Sequence, residues 1–390
     1  MHCPYLIVGG GMAANAAVRG IREVDPAGDI TMIGAEPHTP YKRPPLSKDL
    51  WKGKSRESIW YPGAEDHAHI HRDTHATSID AGRKTVTDAD GRSYEYGKLL
   101  IATGGRPRRL PGAGDDIIYF RTVDDFDRLH RLCEQGGDVV VIGGGFIGAE
   151  ISAALAMNGA PVTLVFPDDG VGGRMFPPAL AGFLNDYYRE RGVTVLSGRH
   201  VEEVRTGAGQ VTVRTNTGER LSAKAVVAGL GIVPNTELAE AAGLAVDNGV
   251  VVDRFTATTS PDIYAAGDVA NFRNPALDTR LRVEHEDNAL TMGAVAGRNM
   301  AGRTQPYDHL PFFYSDLFDL GYEAVGRVDA GLQMVEDWRE PYRKGVVYYL
   351  EGDRVRGVLL WNTWEQVDRA RDLIAARDKV EPATLTGRIG

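Results

Sequence analysis

Two stretches of this chain carry the same design. Residues 5–17 read YLIVGGGMAANAA and residues 139–154 read VVVIGGGFIGAEISAA. In each, a short apolar run of the kind that forms a buried parallel strand leads into a glycine turn and then an alanine-rich helix. The turn positions are Gly9, Gly11 and, in third place, Ala14 in the first stretch, and Gly143, Gly145 and Gly148 in the second. Strand, tight turn and helix N-terminus in this order offer backbone N–H groups and the positive end of a helix to a pyrophosphate. One such motif is a weak signal. Two point to a chain in which two dinucleotides meet.

Length and composition narrow the rest. With 390 residues, two or three domains are expected. The net charge of −9 gives nonspecific nucleic-acid binding no electrostatic support. No apolar run approaches the roughly 20 residues that span a bilayer. The first glycine turn lies so near Met1 that no signal or transit peptide is expected, which predicts a cytoplasmic protein. The only cysteines are Cys3 and Cys133, with no C-x-x-C pair and no zinc spacing. That removes a redox-active dithiol, and both are read as small buried residues.

Along the chain, residues 4–36 form one strand–helix–strand unit. Its second strand is ITMI at 30–33, and Glu36 follows at the distance where a carboxylate accepts from ribose hydroxyls. Residues 40–54 are basic and proline-rich, and Pro44 and Pro45 preclude a regular helix before Leu46. Residues 84–101 read as a hairpin strand followed by KLLIATGG, an apolar strand ending at Ala102, Thr103 and Gly104. Residues 138–168 repeat the opening unit and end at Asp168. Further strands are expected near 193–196, 211–214 and 224–228, and the chain crosses back around GIVPN, which starts at Gly231. DIYAAGDVA reads as strand and turn, with Gly267 and Asp268 in the turn. Beyond residue 306, KGVVYYL and RVRGVLLW flank a hairpin turn, and Val367, Leu373 and Ile374 share one helix face. The expected architecture is α/β: two Rossmann-like domains, 1–115 with 233–306 and 116–232, plus a smaller C-terminal α+β domain, 307–390.

The second site selects its nucleotide through Asp168. A carboxylate there favours a free ribose 2′-hydroxyl and repels a 2′-phosphate, which argues for NADH over NADPH. Arg174, six residues on, argues the other way, since it reaches a phosphate. Gly231 and the turn residues Phe146 and Ile147 are assigned to this NAD site with the glycines. Met12 and Ala13 are assigned with Gly9, Gly11 and Ala14 to the first site.

The glycine-rich start, Glu36, the ATG at 102–104 and the AAGD ending at Asp268 together resemble the two-dinucleotide-binding flavoprotein oxidoreductases. PYKRPPLSKDLW, FRTVDDF, VIGGGFIGAEISAALA, VEHEDNAL, FYSDLFDLGYEAVG and KGVVYYL narrow this to the apoptosis-inducing factor branch, close to ferredoxin reductase-like enzymes, over about residues 5–375. The resemblance implies FAD in the first site, with Asp268 at the ribityl and phosphate region and Arg43, Lys48 and Arg121 touching the cofactor. It pairs Lys48 with Glu150 near the flavin and nicotinamide rings. It also sets a helix over 287–300, just after Glu284 and His285, at the pyrimidine edge, and an aromatic, here Tyr314, near the flavin. Phe146 matches an aromatic that gates the nicotinamide slot. Two departures from the animal protein are its targeting region and a long C-terminal insertion; here a short segment joins Asp329 to Lys344.

The physical logic of the pair is independent of the resemblance. Hydride arriving at flavin N5 leaves negative charge near N1, which fixed positive charge and helix N-termini stabilise. A carboxylate at Glu150, in an apolar helix start, is costly unless paired. The alternating His67, His69 and His71 lack acidic or cysteine partners nearby, so they read as a solvated strand and no metal is expected. The expected activity is an FAD-dependent NADH oxidoreductase that passes electrons straight from flavin to an acceptor. A quinone or similar small acceptor, or oxygen, ranks ahead of a ferredoxin because both ferredoxins and this chain are acidic. Lys42, Arg43, Lys48, Lys52, Lys54 and Arg56 offer a local basic patch that would dock one. The alternative is an NADH-responsive redox sensor with slow turnover and redox-linked homodimerisation.

Overall fold

The computed structural model describes every residue except 113, 115 and 208. It divides into two compact units: Met1–Arg43, Glu57–Arg106 and Val233–Phe312 form the first, and Pro44–Arg56, Pro107–Ile232 and Phe313–Gly390 form the second.

The first unit is built on a seven-stranded sheet. His2–Val8 lies at its centre, parallel to Ile30–Ile33 on one side and Ser93–Ile101 on the other. Ile30–Ile33 is buried at every position, the mark of a parallel strand covered on both faces. Ser93–Ile101 does double duty. Its start pairs antiparallel with Thr85–Asp88, and its end pairs parallel with Ile263–Ala265.

Helix Met12–Arg22 packs on helix Glu286–Met300 at very short range. A Cβ added to Gly297 would lie 2.1 Å from the carbonyl oxygen of Ala17, and one added to Gly20 would lie 2.2 Å from that of Ala294. Only small residues permit this approach, and backbone cannot yield as a side-chain tip can. Gly297→Val is expected to destabilise the protein by about 3 kcal/mol, read as a lower urea midpoint at unchanged slope.

The second unit repeats the glycine-turn design on a four-stranded parallel sheet, in the order Val193–Leu196, Val162–Val165, Val139–Ile142, Ala225–Ala228. Three antiparallel strands, Val201–Gly207, Gln210–Thr215 and Arg220–Ala223, form a separate sheet. The C-terminal segment adds a five-stranded antiparallel sheet backed by helix Val367–Ala376, which buries Leu373 and Ile374. The joint from Asp329 to Lys344 is not a mere connector: Gln333–Glu340 is one of the sheet's two edge strands, paired antiparallel with Lys344–Glu351.

Two features of the second unit depart from the sequence-based domain boundaries. Residues 44–56 belong with it, because Trp51 packs edge-on against Phe126 at 5.3 Å. The Trp51 carbonyl also accepts from Asn158 at 3.0 Å, and Arg56 pairs with Asp127 at 2.8 Å. The C-terminal sheet belongs with it as well. Phe176 stacks edge-on against Tyr322 and Trp361, and Tyr349 donates to the Met175 carbonyl at 2.8 Å. Among the described residues, no helix is long and apolar enough to cross a membrane, and no group of three or more His, Cys, Asp or Glu side chains is placed to hold a metal ion.

Candidate functional site

The two glycine turns are built alike. Gly9 and Gly143 have left-handed backbones, with φ of 130° and 111°. Each amide donates at 2.8 Å to the end of the neighbouring strand, Ile33 and Val165 respectively. A Cβ at Gly9 would lie 2.1 Å from the Ala102 carbonyl oxygen, and one at Gly143 would lie 2.4 Å from that of Gly229. Each turn is thus pressed onto the end of the next parallel strand. At Gly11 and Gly145, which cap the following helices, an added Cβ would meet nothing within 4 Å. Both turns therefore expose helix N-termini to open space, the cradle a pyrophosphate requires. The third position differs. At Gly148 a Cβ would fall 1.7 Å from the Gly143 oxygen, whereas Ala14 is accommodated and fully buried.

Around the first turn, Ala102, Thr103 and Gly104 follow the strand that Gly9 abuts. Thr103 and Asn235 exchange two hydrogen bonds, of 2.8 and 2.9 Å. Gly267 (φ 78°) packs on Ala13, where a Cβ would sit 2.8 Å from the alanine methyl, and Asp268 follows it. Met12 and Ala13 open the helix. Glu36 does not stand alone at its strand end: its carboxylate accepts from Tyr41 at 2.6 Å and from Arg43. Burial works to raise the Glu36 pKa, but Arg43 and Tyr41 outweigh it and hold the carboxyl below its usual range. Burial likewise works against the Arg43 cation, while Tyr41, Glu36 and Asp268 together favour it.

His285 caps helix Glu286–Met300 with an extended backbone. Glu284, just before it, pairs with Arg282 at 2.6 Å, and Arg282 also donates to the Asp268 carbonyl at 3.1 Å. The Arg282 side chain is only 8 % exposed. It ties the Asp268 turn to the helix start, a link invisible in the sequence because Arg282 and Asp268 lie 14 positions apart.

In the second unit, Phe146 opens the helix after the second turn and meets Phe313 edge-on at 5.1 Å. Gly145, Phe146, Val171, Gly172, Ser315 and Tyr322 line a small cavity beside the turn. Ile147 and Gly148 continue the helix into Glu150. Asp168 and Arg174, which argue for opposite cofactors, form an ion pair with 3.3 Å between Nε and Oδ1. Gly231 (φ 79°) accepts from the Arg108 amide at 2.9 Å.

Three residues assigned to FAD lie in this second unit: Lys48, Arg121 and Tyr314. Arg121 precedes Thr122, which caps helix Val123–Glu134 in a capping box with Asp125. Lys48 and Glu150 are together and buried, 9 % and 4 % exposed, with Nζ 2.5 Å from Oε1. The Lys48 ammonium also lies 5.2 Å from the centre of the Tyr314 ring. The basic patch around them is largely neutralised. Lys52 pairs with Asp316, Lys54 with Asp49 and Arg56 with Asp127, as Arg43 does with Glu36 and Lys48 with Glu150. Lys42 lies 6.0 Å from the Tyr61 ring.

Two glycine cradles, each at the end of a parallel strand, with a buried lysine–glutamate pair beyond the second, define a two-dinucleotide oxidoreductase. Comparison with known proteins agrees. Residues 4–293 match the model of the pyridine nucleotide-disulphide oxidoreductases, and residues 296–340 and 335–376 match the C-terminal domain of mitochondrion-associated apoptosis-inducing factor. The chain is 34 % identical to mitochondrial apoptosis-inducing factor 1 of Dictyostelium discoideum, over 97 % of this chain and 79 % of that protein. It is 35 % identical to the ferredoxin–NAD(+) reductase component of the anthranilate 1,2-dioxygenase system of Burkholderia cepacia, over 98 % and 96 %. Its fold superimposes on putidaredoxin reductase, crystallised in covalent complex with putidaredoxin, with a TM-score of 0.90 and 34 % identity over 98 % of this chain and 95 % of that one. The chain belongs to the pyridine nucleotide-disulphide oxidoreductase family and is an FAD-dependent NADH oxidoreductase of the ferredoxin reductase-like, apoptosis-inducing factor-like type.

Proposed function

We propose that this protein oxidises NADH and hands electrons singly to a ferredoxin-type protein, working in the cytoplasm. The observation that carries the reading is the fate of its cysteines. Cys3 is buried in the sheet of the first unit, Cys133 lies in a helix of the second, and neither is bonded. Burial also pushes the Cys133 thiol up to about 11, leaving it protonated and unreactive. No dithiol stands between flavin and acceptor, so electrons leave from the flavin itself.

Bound FAD supplies the chemistry that the side chains lack, accepting an electron pair and releasing electrons one at a time. The chain's part is binding, orientation and charge. Gly9–Ala14, Glu36, Arg43, Ala102–Gly104, Gly267, Asp268, Glu284 and His285 would hold FAD, the cofactor to which the family resemblance also assigns Lys48, Arg121 and Tyr314. Gly143–Gly148, Asp168 and Gly231 would hold NADH, with Phe146 shaping the nicotinamide slot. The Lys48 ammonium, fixed by Glu150, would offset negative charge that develops on the ring system.

A ferredoxin now ranks ahead of a quinone, because the ferredoxin–NAD(+) reductase component and putidaredoxin reductase are similar to this chain over nearly their whole length. The test is anaerobic. NADH should bleach the flavin of the FAD-loaded protein, and the reduced protein should then reduce a [2Fe–2S] ferredoxin faster than a quinone or oxygen. Absence of bleaching would sink the reading. A long-lived charge-transfer complex with slow turnover and a mass increase on NADH addition would replace it with the sensor.

A further inference from the structure

Glu150 is 4 % exposed in the interior of the second unit, and one cation does not satisfy a carboxylate there. Lys48 reaches Oε1 alone. Two hydroxyls from separate segments complete the shell: Ser47 donates to Oε2 at 2.5 Å and Ser315 donates to Oε1 at 2.6 Å. Ser47 is 6 % exposed and Ser315 fully buried. The other acceptor near Ser47, the Pro44 carbonyl, lies at 3.5 Å, the limit for a bond. Tyr322 is buried in the same unit, and burial holds its hydroxyl protonated well above the usual range.

The serines have no catalytic chemistry of their own to perform in this setting. What they control is freedom. A lysine has four rotatable side-chain bonds and substantial rotamer entropy, and an ion pair through one oxygen leaves the carboxylate free to swing. A carboxylate held on both oxygens by donors from the 3₁₀ turn Pro44–Ser47 and the strand Phe312–Leu317 is fixed in one orientation. It then fixes the ammonium it holds. Half an ångström of looseness in such a group is enough to lower a rate.

We propose that Ser47 and Ser315 are positioning residues for flavin reduction: by saturating Glu150 they hold its carboxylate, and through it the Lys48 ammonium, in the orientation the reaction uses. This rests on the reading that Lys48 and Glu150 act beside the flavin.

The test compares Ser315→Ala, Ser47→Ala, Glu150→Gln and Ser315→Ala/Glu150→Gln as FAD-loaded proteins. Each is followed by anaerobic stopped-flow reduction with NADH and by dye-equilibrated measurement of the flavin midpoint potential. Each serine variant should slow the limiting rate about tenfold, the scale of one hydrogen bond to a charged group. The NADH dissociation constant and FAD content should not change. The midpoint potential should move in the same direction as in Glu150→Gln, but less far. In the Glu150→Gln background, Ser315→Ala should add nothing to either readout, since the serine acts only through the carboxylate. Ser47→Thr, which keeps the hydroxyl, should restore the rate. If Glu150→Gln is slow while both serine variants are normal, or if the serine and glutamate effects multiply, this inference is overturned and the underlying reading stands. If Glu150→Gln itself reduces normally with an unmoved potential, both are overturned.

Discussion

Glu150→Ala should destabilise the protein by about 3–5 kcal/mol, because it strands the buried Lys48 cation without its counter-charge. The double variant Lys48→Met/Glu150→Leu should behave differently. It replaces the pair with apolar groups of similar volume, and such replacements are often neutral or stabilising. The two serine hydroxyls then lose an acceptor, which costs about 1 kcal/mol each. Stability should therefore return to within about 2 kcal/mol of the starting protein. The limiting rate of flavin reduction should nonetheless fall on the order of a hundredfold or more, the usual scale for removing a preorganised charge from an active site. Thermal melts and stopped-flow traces on the same preparations check both halves. A double variant that is stable and fast would show that the pair is only structural. One that is stable and slow separates the two roles.

Asp168→Asn should move nucleotide preference from NADH toward NADPH by about tenfold to a hundredfold in kcat/KM. The starting point is the 3.3 Å ion pair with Arg174, whose side chain is 78 % exposed. Exposed pairs of this kind hold their partners by no more than about 1 kcal/mol, so the arginine is released at little cost. A guanidinium freed beside the ribose is well suited to a 2′-phosphate, and a charge-assisted contact contributes about 1.5–3 kcal/mol. Removing the carboxylate also removes a repulsion. Both effects act on NADPH, and the loss of a hydroxyl acceptor acts on NADH. Arg174→Ala should leave NADH use nearly unchanged in the starting protein and abolish the gain in the Asp168→Asn background. Steady-state kinetics with both nucleotides check each arm. An Asp168→Asn protein that keeps its NADH preference would remove this carboxylate from the account of specificity.

What could be read from the sequence was what is local. The strand–glycine–helix units were legible because the turn, the burial pattern and the helix lie within about twenty residues of one another. The meeting of Lys48 with Glu150 was legible only through resemblance, since it joins residues 102 positions apart. Its completion by Ser47 and Ser315 left no trace, because a serine in a turn or strand has many ordinary reasons to be there. Charge was misleading for a similar cause. Six cations between 42 and 56 look like a patch, yet three of the carboxylates that neutralise them, Asp127, Glu150 and Asp316, come from distant segments. The strand Gln333–Glu340 was missed because QMVEDWRE mixes charges into a sheet edge, where one side faces water. Asp168 and Arg174 argue for opposite nucleotides when read one by one, yet in the fold they bind each other.

The interleaving of the two units sets an order on the birth of the protein. The chain passes between them after Arg43, Arg56, Arg106, Ile232 and Phe312. The first unit begins at Met1, but it needs helix Glu286–Met300 to cover helix Met12–Arg22, so it cannot close until Met300 has left the ribosome. The second unit waits longer still, for its last strands. Neither is a stretch that a gene fragment could encode alone. Nascent chains therefore expose apolar surface, such as the face of helix Met12–Arg22 and the Phe176 ring, until these later covers are made, a period when they are open to chaperones and prone to aggregate.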